Sequence, residues 1–387
     1  MLDVKKVYHL MGEQTIPIFL SAIQFQPWVH HYLLATKKTE YSANYVVKAL
    51  QDRQISAEVR LIGAENAAVS FQLLNESISE ILDDTNKEEA PSAFNITGGT
   101  KPMSFIALLL GNKRPWLAPF YLDSIGRKML WLKDYSETEL EEKIELKDFI
   151  ALCGMEISNE DISEPSEKLL DLMYQNVTVI QRSQEKFASC IQKNGKKTQN
   201  PKDSFQQFLA ELSENMSKKH IQSWKPLWNE YTATESSWQQ QAKFLAGGWF
   251  EHYVGNLIRR HSASPQAVRI GLEISKSGDY ETLQEFDVVY TDGFQLVILE
   301  CKAGQIKQDH IQKLMNLRDF FGGSLGRCAL VTLVEADTSN NKRIHLRDRI
   351  TANKKIAAFC GKVGLQILPS RLFNFSVGTV YPGEKKS

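Results

Sequence analysis

The chain has 387 residues, 42 % hydrophobic and 24 % charged, with 46 Lys and Arg balanced by 46 Asp and Glu. That length asks for two or three domains, and zero net charge excludes a protein held to nucleic acid by a global basic field. No apolar run approaches the roughly 18 residues of a membrane helix; Met1–Leu10 lacks the apolar stretch of a signal peptide; and the five scattered cysteines form no CxxC pair, which disfavours a disulfide framework or structural zinc and points to a reducing cytoplasm.

Residues 1–147 alternate between strand and helix patterns. Strands are expected at Val7–Leu10, His30–Ala35, Ala57–Ile62, Ala93–Thr97, Trp116–Leu122 and Lys128–Leu132. Helices are expected from about Pro17, over Ser42–Gln51, over Ala67–Leu82 and over Lys101–Leu110. Such alternation predicts an α/β unit with a doubly wound, Rossmann-like parallel sheet. Residues 148–235 are polar and read as a helical connector, with a winged helix as one option. Residues 236–387 form a third unit: a long helix over Trp238–His261, strands near Val268–Ile274, Glu285–Tyr290 and Gln295–Lys302, a helix over about Ile306–Phe321, a strand over Arg327–Val334, a basic helix and a last strand near Gly364–Leu368.

Three loops of the first unit follow strands: Gly12-Glu13-Gln14, Thr36-Lys37-Lys38-Thr39 and Thr97-Gly98-Gly99-Thr100-Lys101. Ligands of open α/β sheets bind at the carboxyl ends of strands. Glycines permit close backbone approach, and free N–H groups at a helix start favour phosphate. The run is neither a GxGxxG fingerprint nor a P-loop, which disfavours NAD or ATP.

In the third unit, Glu285-Phe286-Asp287-Val288-Val289 and Val297-Ile298-Leu299-Glu300-Cys301-Lys302 would form a hairpin around Asp292-Gly293. Asp287 interrupts an apolar strand, where an isolated carboxylate is unfavourable. Glu300 and Lys302, two apart, share a strand face. Two carboxylates suit a hard divalent cation, Mg²⁺ or Mn²⁺, and a lysine ammonium beside them suits stabilisation of phosphoryl charge. The Cys301 backbone carbonyl is a candidate further metal ligand, its thiol expected in the core. Glu251 reads equally as a fourth member of the site or as a helix-surface carboxylate. Gln308 and Gln312 are candidates on the following helix, whereas His252 and His310 read as packing or surface residues. From residue 251 onward 19 Lys and Arg stand against 14 Asp and Glu, the excess clustering in Lys342, Arg343, Arg347, Arg349, Lys354, Lys355 and Lys362. That strip is a candidate grip on a nucleic-acid backbone, or a solvated helix face.

The Asp287, Glu300-Cys301-Lys302 set resembles the PD-(D/E)xK nuclease superfamily, in which an acidic residue on the preceding helix, here Glu251, often joins the site. The Thr97–Lys101 run resembles the signature of CARF (CRISPR-associated Rossmann fold) domains. The order of units, CARF-like, connector, restriction-endonuclease-like α/β, is similar to the ancillary nucleases of type III CRISPR systems. That resemblance implies a homodimer whose paired CARF domains bind a cyclic oligoadenylate, expected to be the tetra-adenylate. Its contacts would fall on Gly12, Gln14, Thr36, Lys37, Thr97, Gly98, Gly99, Thr100 and Lys101. Binding would activate metal-dependent cleavage of DNA, RNA or both, single-stranded or supercoiled, in antiviral defence. Two rivals stay open: a ligand-sensing transcription regulator with an inactive nuclease fold, and a restriction- or repair-type nuclease without an activator.

Overall fold

The computed structural model describes residues 3–63, 71–159, 164–177, 179–180, 183, 201–234, 237–262, 264–279, 281–303, 308–332 and 366–369. The basic strip expected at 342–362 lies outside the described residues. Among the described residues no helix is long and apolar enough to cross a membrane.

In the first unit, β1 (Lys6–Leu10), β2 (His30–Ala35), β3 (Ala57–Leu61), β4 (Ser92–Asn95) and β5 (Leu117–Asp123) lie parallel in the order β3-β2-β1-β4-β5. β1 is buried from Val7 to Leu10, as a strand covered on both faces must be. Helices Ile16–Ala22 and Glu40–Asp52 feed one core, and helices Phe71–Thr85 and Lys101–Lys113 the other. The expected doubly wound sheet is therefore present, with an antiparallel extension at one edge: β6 (Lys128–Trp131) and β7 (Glu137–Glu139). Strand order reverses between β1 and β4, so their following loops diverge and leave a crevice.

The second sheet runs β13-β12-β11-β10-β9-β8, with β8 (Met155–Asn159), β9 (Arg269–Lys276), β10 (Gln284–Thr291), β11 (Leu296–Lys302), β12 (Gly326–Thr332) and β13 (Gln366–Pro369). β8 to β11 are antiparallel; β11 to β13 are parallel, which requires a crossover, here helix Gln308–Gly322. The connector, expected to be helical over 148–235, contributes β8 to this sheet as well as helices Pro201–Asn215 and Lys218–Thr234. Those helices do not stand apart: Phe205, Trp224 and Trp228 share a core with Trp249, Phe250, Val288 and Leu299. The opposite sheet face packs Phe286, Leu296 and Ile298 into one core with Phe149 and Phe19 of the first unit.

The single helix expected over Trp238–His261 is kinked: Trp238–Lys243 and Trp249–His261 are helical, and between them Gly247 is not, at φ 176° and ψ −30°. The sequence Gly247-Gly248 explains the break, since neither glycine supplies a side chain to hold a regular turn.

Candidate functional site

The two candidate sites stand on different sheets. In the second, β10 and β11 pair backbone to backbone from Thr291↔Leu296 to Val288↔Leu299. At the next position the pairing changes: Asp287 Oδ2 accepts the Cys301 backbone N–H at 2.7 Å. β10 is irregular at this point. Phe286 faces the core shared with the first unit while Val288 faces the opposite core, although residues two apart in a regular strand share a face. Across the ladder the Asp287–Gly271 position is missing from an otherwise continuous register, and Gly271 takes φ +58°, a conformation suited to glycine.

Glu300 and Lys302 do share a face, as their spacing requires. Lys302 Nζ lies 2.5 Å from Glu300 Oε1 and 3.3 Å from Asp287 Oδ2, so one ammonium bridges two carboxylates. These side chains are only 11 % and 14 % exposed for Glu300 and Asp287, so solvent screens them weakly. Burial, then repulsion from Glu300, push Asp287 up to about 6 against the pull of Lys302. Burial alone would depress Lys302, but the carboxylates of Asp287 and Glu300 outweigh it and hold the ammonium charged. Glu251, from helix Trp249–His261, is pushed up to about 8 by burial, then by Asp287 and Glu285. Its carboxyl therefore feels the charges of Asp287 and Glu285, which a freely solvated helix-surface carboxylate would not. Cys301 is buried, its thiol raised well above its ordinary value by burial, as a core residue.

Two neighbours escaped the sequence reading. Glu285 shares β10 with Asp287 and pairs with Lys243 Nζ at 3.0 Å. Its signal was alternation with Asp287, hidden by the exposed start of the strand. Gln312 bonds to Asn316 on its own helix, at 3.0 Å, while the Gln308 side chain is outside what the structure describes. His252 is buried, and burial pushes its imidazole down to about 4, a packing histidine. Among the described residues no three His, Cys, Asp or Glu side chains converge as a ready-made metal cage.

In the first unit, a cavity of about 490 Å³ opens at the strand-order reversal between β1 and β4. Gly12, Gln14, Thr36, Thr97, Gly98, Gly99 and Thr100 line it; Lys37 and Lys101 do not. Lys37 instead pairs with Glu40 at 2.8 Å. The cation that lines the cavity is Lys38, paired with Glu13 at 2.5 Å. Tyr121 and Ser124, from the end of β5, and Ser324, from the second sheet's unit, complete the wall. The β5 residues were legible from topology, because they follow a strand adjacent to β4; Ser324 had no local signal.

The glycine loop is shaped by a close approach. A Cβ on Gly98 would sit 2.1 Å from the Leu10 carbonyl oxygen, and Gly99 takes φ +74°. Beneath it lies a buried polar network. His9 Nε2 and His31 Nδ1 are 2.9 Å apart, Asn95 Nδ2 donates to Ser21 Oγ at 2.6 Å, and Asn95 Oδ1 accepts the Thr97 N–H at 2.9 Å. The Thr97 hydroxyl accepts the Leu122 N–H at 2.7 Å. Thr97 is thus locked by both ends, and its neighbours are the groups left to meet a ligand.

Residues 7–149 match the family described as the Card1 CARF domain, and residues 238–356 match the Card1-like endonuclease domain. No curated protein matches the chain. Among solved structures, protein VC1899 from Vibrio cholerae is similar over 95 % of this chain and 95 % of that one, with 14 % identity and a TM-score of 0.65. Can2 from Sulfobacillus thermosulfidooxidans, solved in complex with cyclic tetra-adenylate, is similar over 94 % of this chain and 93 % of that one, with 19 % identity and a TM-score of 0.65. A type III CRISPR defence DNA nuclease activated by cyclic oligoadenylate aligns over 86 % of this chain but 45 % of its own, with 16 % identity and a TM-score of 0.52. At these identities the structural likeness establishes the shared fold.

Proposed function

We propose, for a chain that belongs to the CARF-domain nucleases by joining a Card1 CARF domain to a Card1-like endonuclease domain, the role of a metal-dependent endonuclease switched on by a cyclic oligoadenylate in type III CRISPR defence. The observation that carries the reading is the Lys302 ammonium held between the buried carboxylates of Asp287 and Glu300. Buried carboxylates this close repel one another and favour a cation among them. The donor set fits Mn²⁺ or Mg²⁺, both of which take oxygen ligands.

Asp287 and Glu300 would hold the ion. Backbone N–H and C=O of one strand residue face the same neighbour, so the Cys301 carbonyl, whose N–H meets Asp287, faces the same side and can serve as a third ligand. A divalent ion there supplies polarisation of the phosphodiester and a more acidic bound water. Lys302 then stabilises negative charge on the phosphoryl oxygens and orients the attacking water. Glu251, whose carboxyl burial and the Asp287 charge push toward its neutral form, would take up or release a proton near them.

The activator we propose is cyclic tetra-adenylate, the ligand of the Can2 complex. Each copy offers one hollow of about 490 Å³. Two hollows facing across a twofold axis match a ring that is itself twofold symmetric. Helix Lys101–Lys113, which starts at the cavity loop, leaves Phe105 62 % and Leu109 49 % exposed one turn apart, an apolar face for the second copy.

The test is cleavage of single-stranded and supercoiled DNA and of RNA, in Mn²⁺ and in Mg²⁺, with and without cyclic tetra-adenylate. Activator-dependent cleavage by the wild type, lost in Glu300→Ala and Lys302→Ala, is expected. Equal cleavage with and without the ring would instead favour an unregulated nuclease.

A further inference from the structure

The wall of the cavity is not built from the first unit alone. Ser324 belongs to the short turn Gly323–Leu325 that joins helix Gln308–Gly322 to β12, and it lines the cavity beside Gly12 and Gln14. Its hydroxyl donates to Gln14 Oε1 at 3.0 Å. Gly323, at φ +50°, carries the turn alongside Gln14, where an added Cβ would stand 3.6 Å from Gln14 Cδ, an ordinary packing contact. Gln14 itself lines the cavity.

From this turn the backbone runs back through Gly323 and Gly322 to Phe321. Phe321, on the last turn of the helix, is 2 % exposed and meets the ring of Phe286 edge-on, with centroids 5.2 Å apart. Phe286 is fully buried and is the peptide neighbour of Asp287. Four side chains, Gln14, Ser324, Phe321 and Phe286, therefore span the distance from the cavity to the strand irregularity at Asp287.

We propose that Ser324 is a ligand-site residue supplied by the endonuclease unit, and that the sequence Gln14–Ser324–Phe321–Phe286 reports occupancy of the cavity to Asp287. The proposal rests on the activation reading above and names its route. A ring phosphate or ribose hydroxyl entering the cavity is an acceptor that competes with Gln14 Oε1 for the Ser324 hydroxyl. The exchange repositions the Gly323–Leu325 turn. Phe321 is enclosed, and close-packed interiors pass on a displacement rather than absorb it. The strand at Phe286 then shifts, and with it the carboxylate of Asp287. Coupling of this kind is reciprocal, so occupancy at Asp287 changes affinity for the ring by the same factor.

Other contacts join the two units: Arg127 with Asp292 at 2.7 Å, and Cys153 Sγ donating to the Phe320 carbonyl at 3.3 Å. Neither reaches the cavity wall, and they serve as the fixed docking against which the turn moves.

Amide hydrogen exchange on the full chain tests the relay. Without ligand, Ser324→Ala should speed exchange both in the Gly323–Leu325 turn and at Phe286–Asp287, by about threefold, the scale of one hydrogen bond. Ser324→Thr, which keeps the hydroxyl, should restore wild-type exchange at both. Asp292→Asn, which removes the charge from the separate docking contact, should leave Phe286–Asp287 unchanged. With cyclic tetra-adenylate, the wild type should change exchange at both places, and Phe321→Leu at the turn only. Wild-type exchange at Phe286–Asp287 in Ser324→Ala, or a full response in Phe321→Leu, overturns the relay. Failure of the wild type to bind the ring overturns the activation reading instead, and the ligand-free comparison of Ser324→Ala with Ser324→Thr still decides the relay.

Discussion

Asp287 Oδ2 accepts the backbone N–H of Cys301 at 2.7 Å, in the position where the preceding pairs of β10 and β11 bond backbone to backbone. A side-chain carboxylate thus ends the ladder. The place where the sheet opens is also where its charge is concentrated, because the same Asp287 oxygen meets the Lys302 ammonium at 3.3 Å.

Lys302→Met should expose that arrangement. Removing the cation leaves Asp287 and Glu300 facing each other with little solvent between them, and breaking a buried pair is destabilising. Without divalent metal the variant should lose about 1–3 kcal/mol of stability, the scale of removing one partner from a part-buried polar pair. Adding Mn²⁺ should raise its Tm by more than it raises that of the wild type. Thermal melts with and without Mn²⁺ measure both, and equal Mn²⁺ responses would remove Lys302 from the cation position.

Cleavage itself should fall about 10²–10³-fold in Glu300→Gln and in Asp287→Asn, the scale of losing one group aimed at developing charge. Glu251→Gln should act differently. Because burial and Asp287 already push that carboxyl toward its neutral form, the neutral amide should lower the initial rate at saturating metal less than Glu300→Gln does, and an equal loss would overturn this reading.

The histidine pair beneath the glycine loop makes a stability prediction with a definite sign. Burial drives His9 well below its ordinary value and His31 down to about 3. Between about pH 6.5 and the folded values, the unfolded chain binds protons that the folded chain refuses. Stability is therefore complete above pH 6.5 and lost as pH falls, by on the order of 2 kcal/mol per histidine at pH 5. His31→Gln should lessen the slope of urea-melt stability against pH over that interval, and an unaltered slope would contradict the assignment.

Gly98→Ala places a methyl group 2.1 Å from the Leu10 carbonyl oxygen. The loop must move away from β1, at about 1–3 kcal/mol for the overpacking. Cyclic tetra-adenylate binding by calorimetry should weaken at least tenfold, while metal binding at Asp287 persists.

Phe105→Glu sets a charge on the apolar face of helix Lys101–Lys113, where Phe105 is 62 % exposed. Light scattering after size exclusion should show a dimer for the wild type and a monomer for the variant. A wild-type monomer at micromolar concentration would refute the paired-cavity geometry.

Residue order alone determined a good deal of this protein. Strand–helix alternation specified the parallel sheet, because a parallel pair needs a crossover; the Glu300-Cys301-Lys302 step placed two site residues on one face, because strand side chains repeat every second residue. The Thr97–Thr100 loop was legible because glycine is needed where backbone approaches backbone. Only the tertiary structure decided the rest. It set Glu251 where burial and Asp287 raise its carboxyl, since that depends on how a helix packs on a sheet. It set Lys38 rather than Lys37 against the cavity, since a turn's facing depends on its neighbours. It brought Ser324 to Gln14 across 310 positions, a contact with no period, spacing or composition to announce it, because it exists only where two separately patterned units dock.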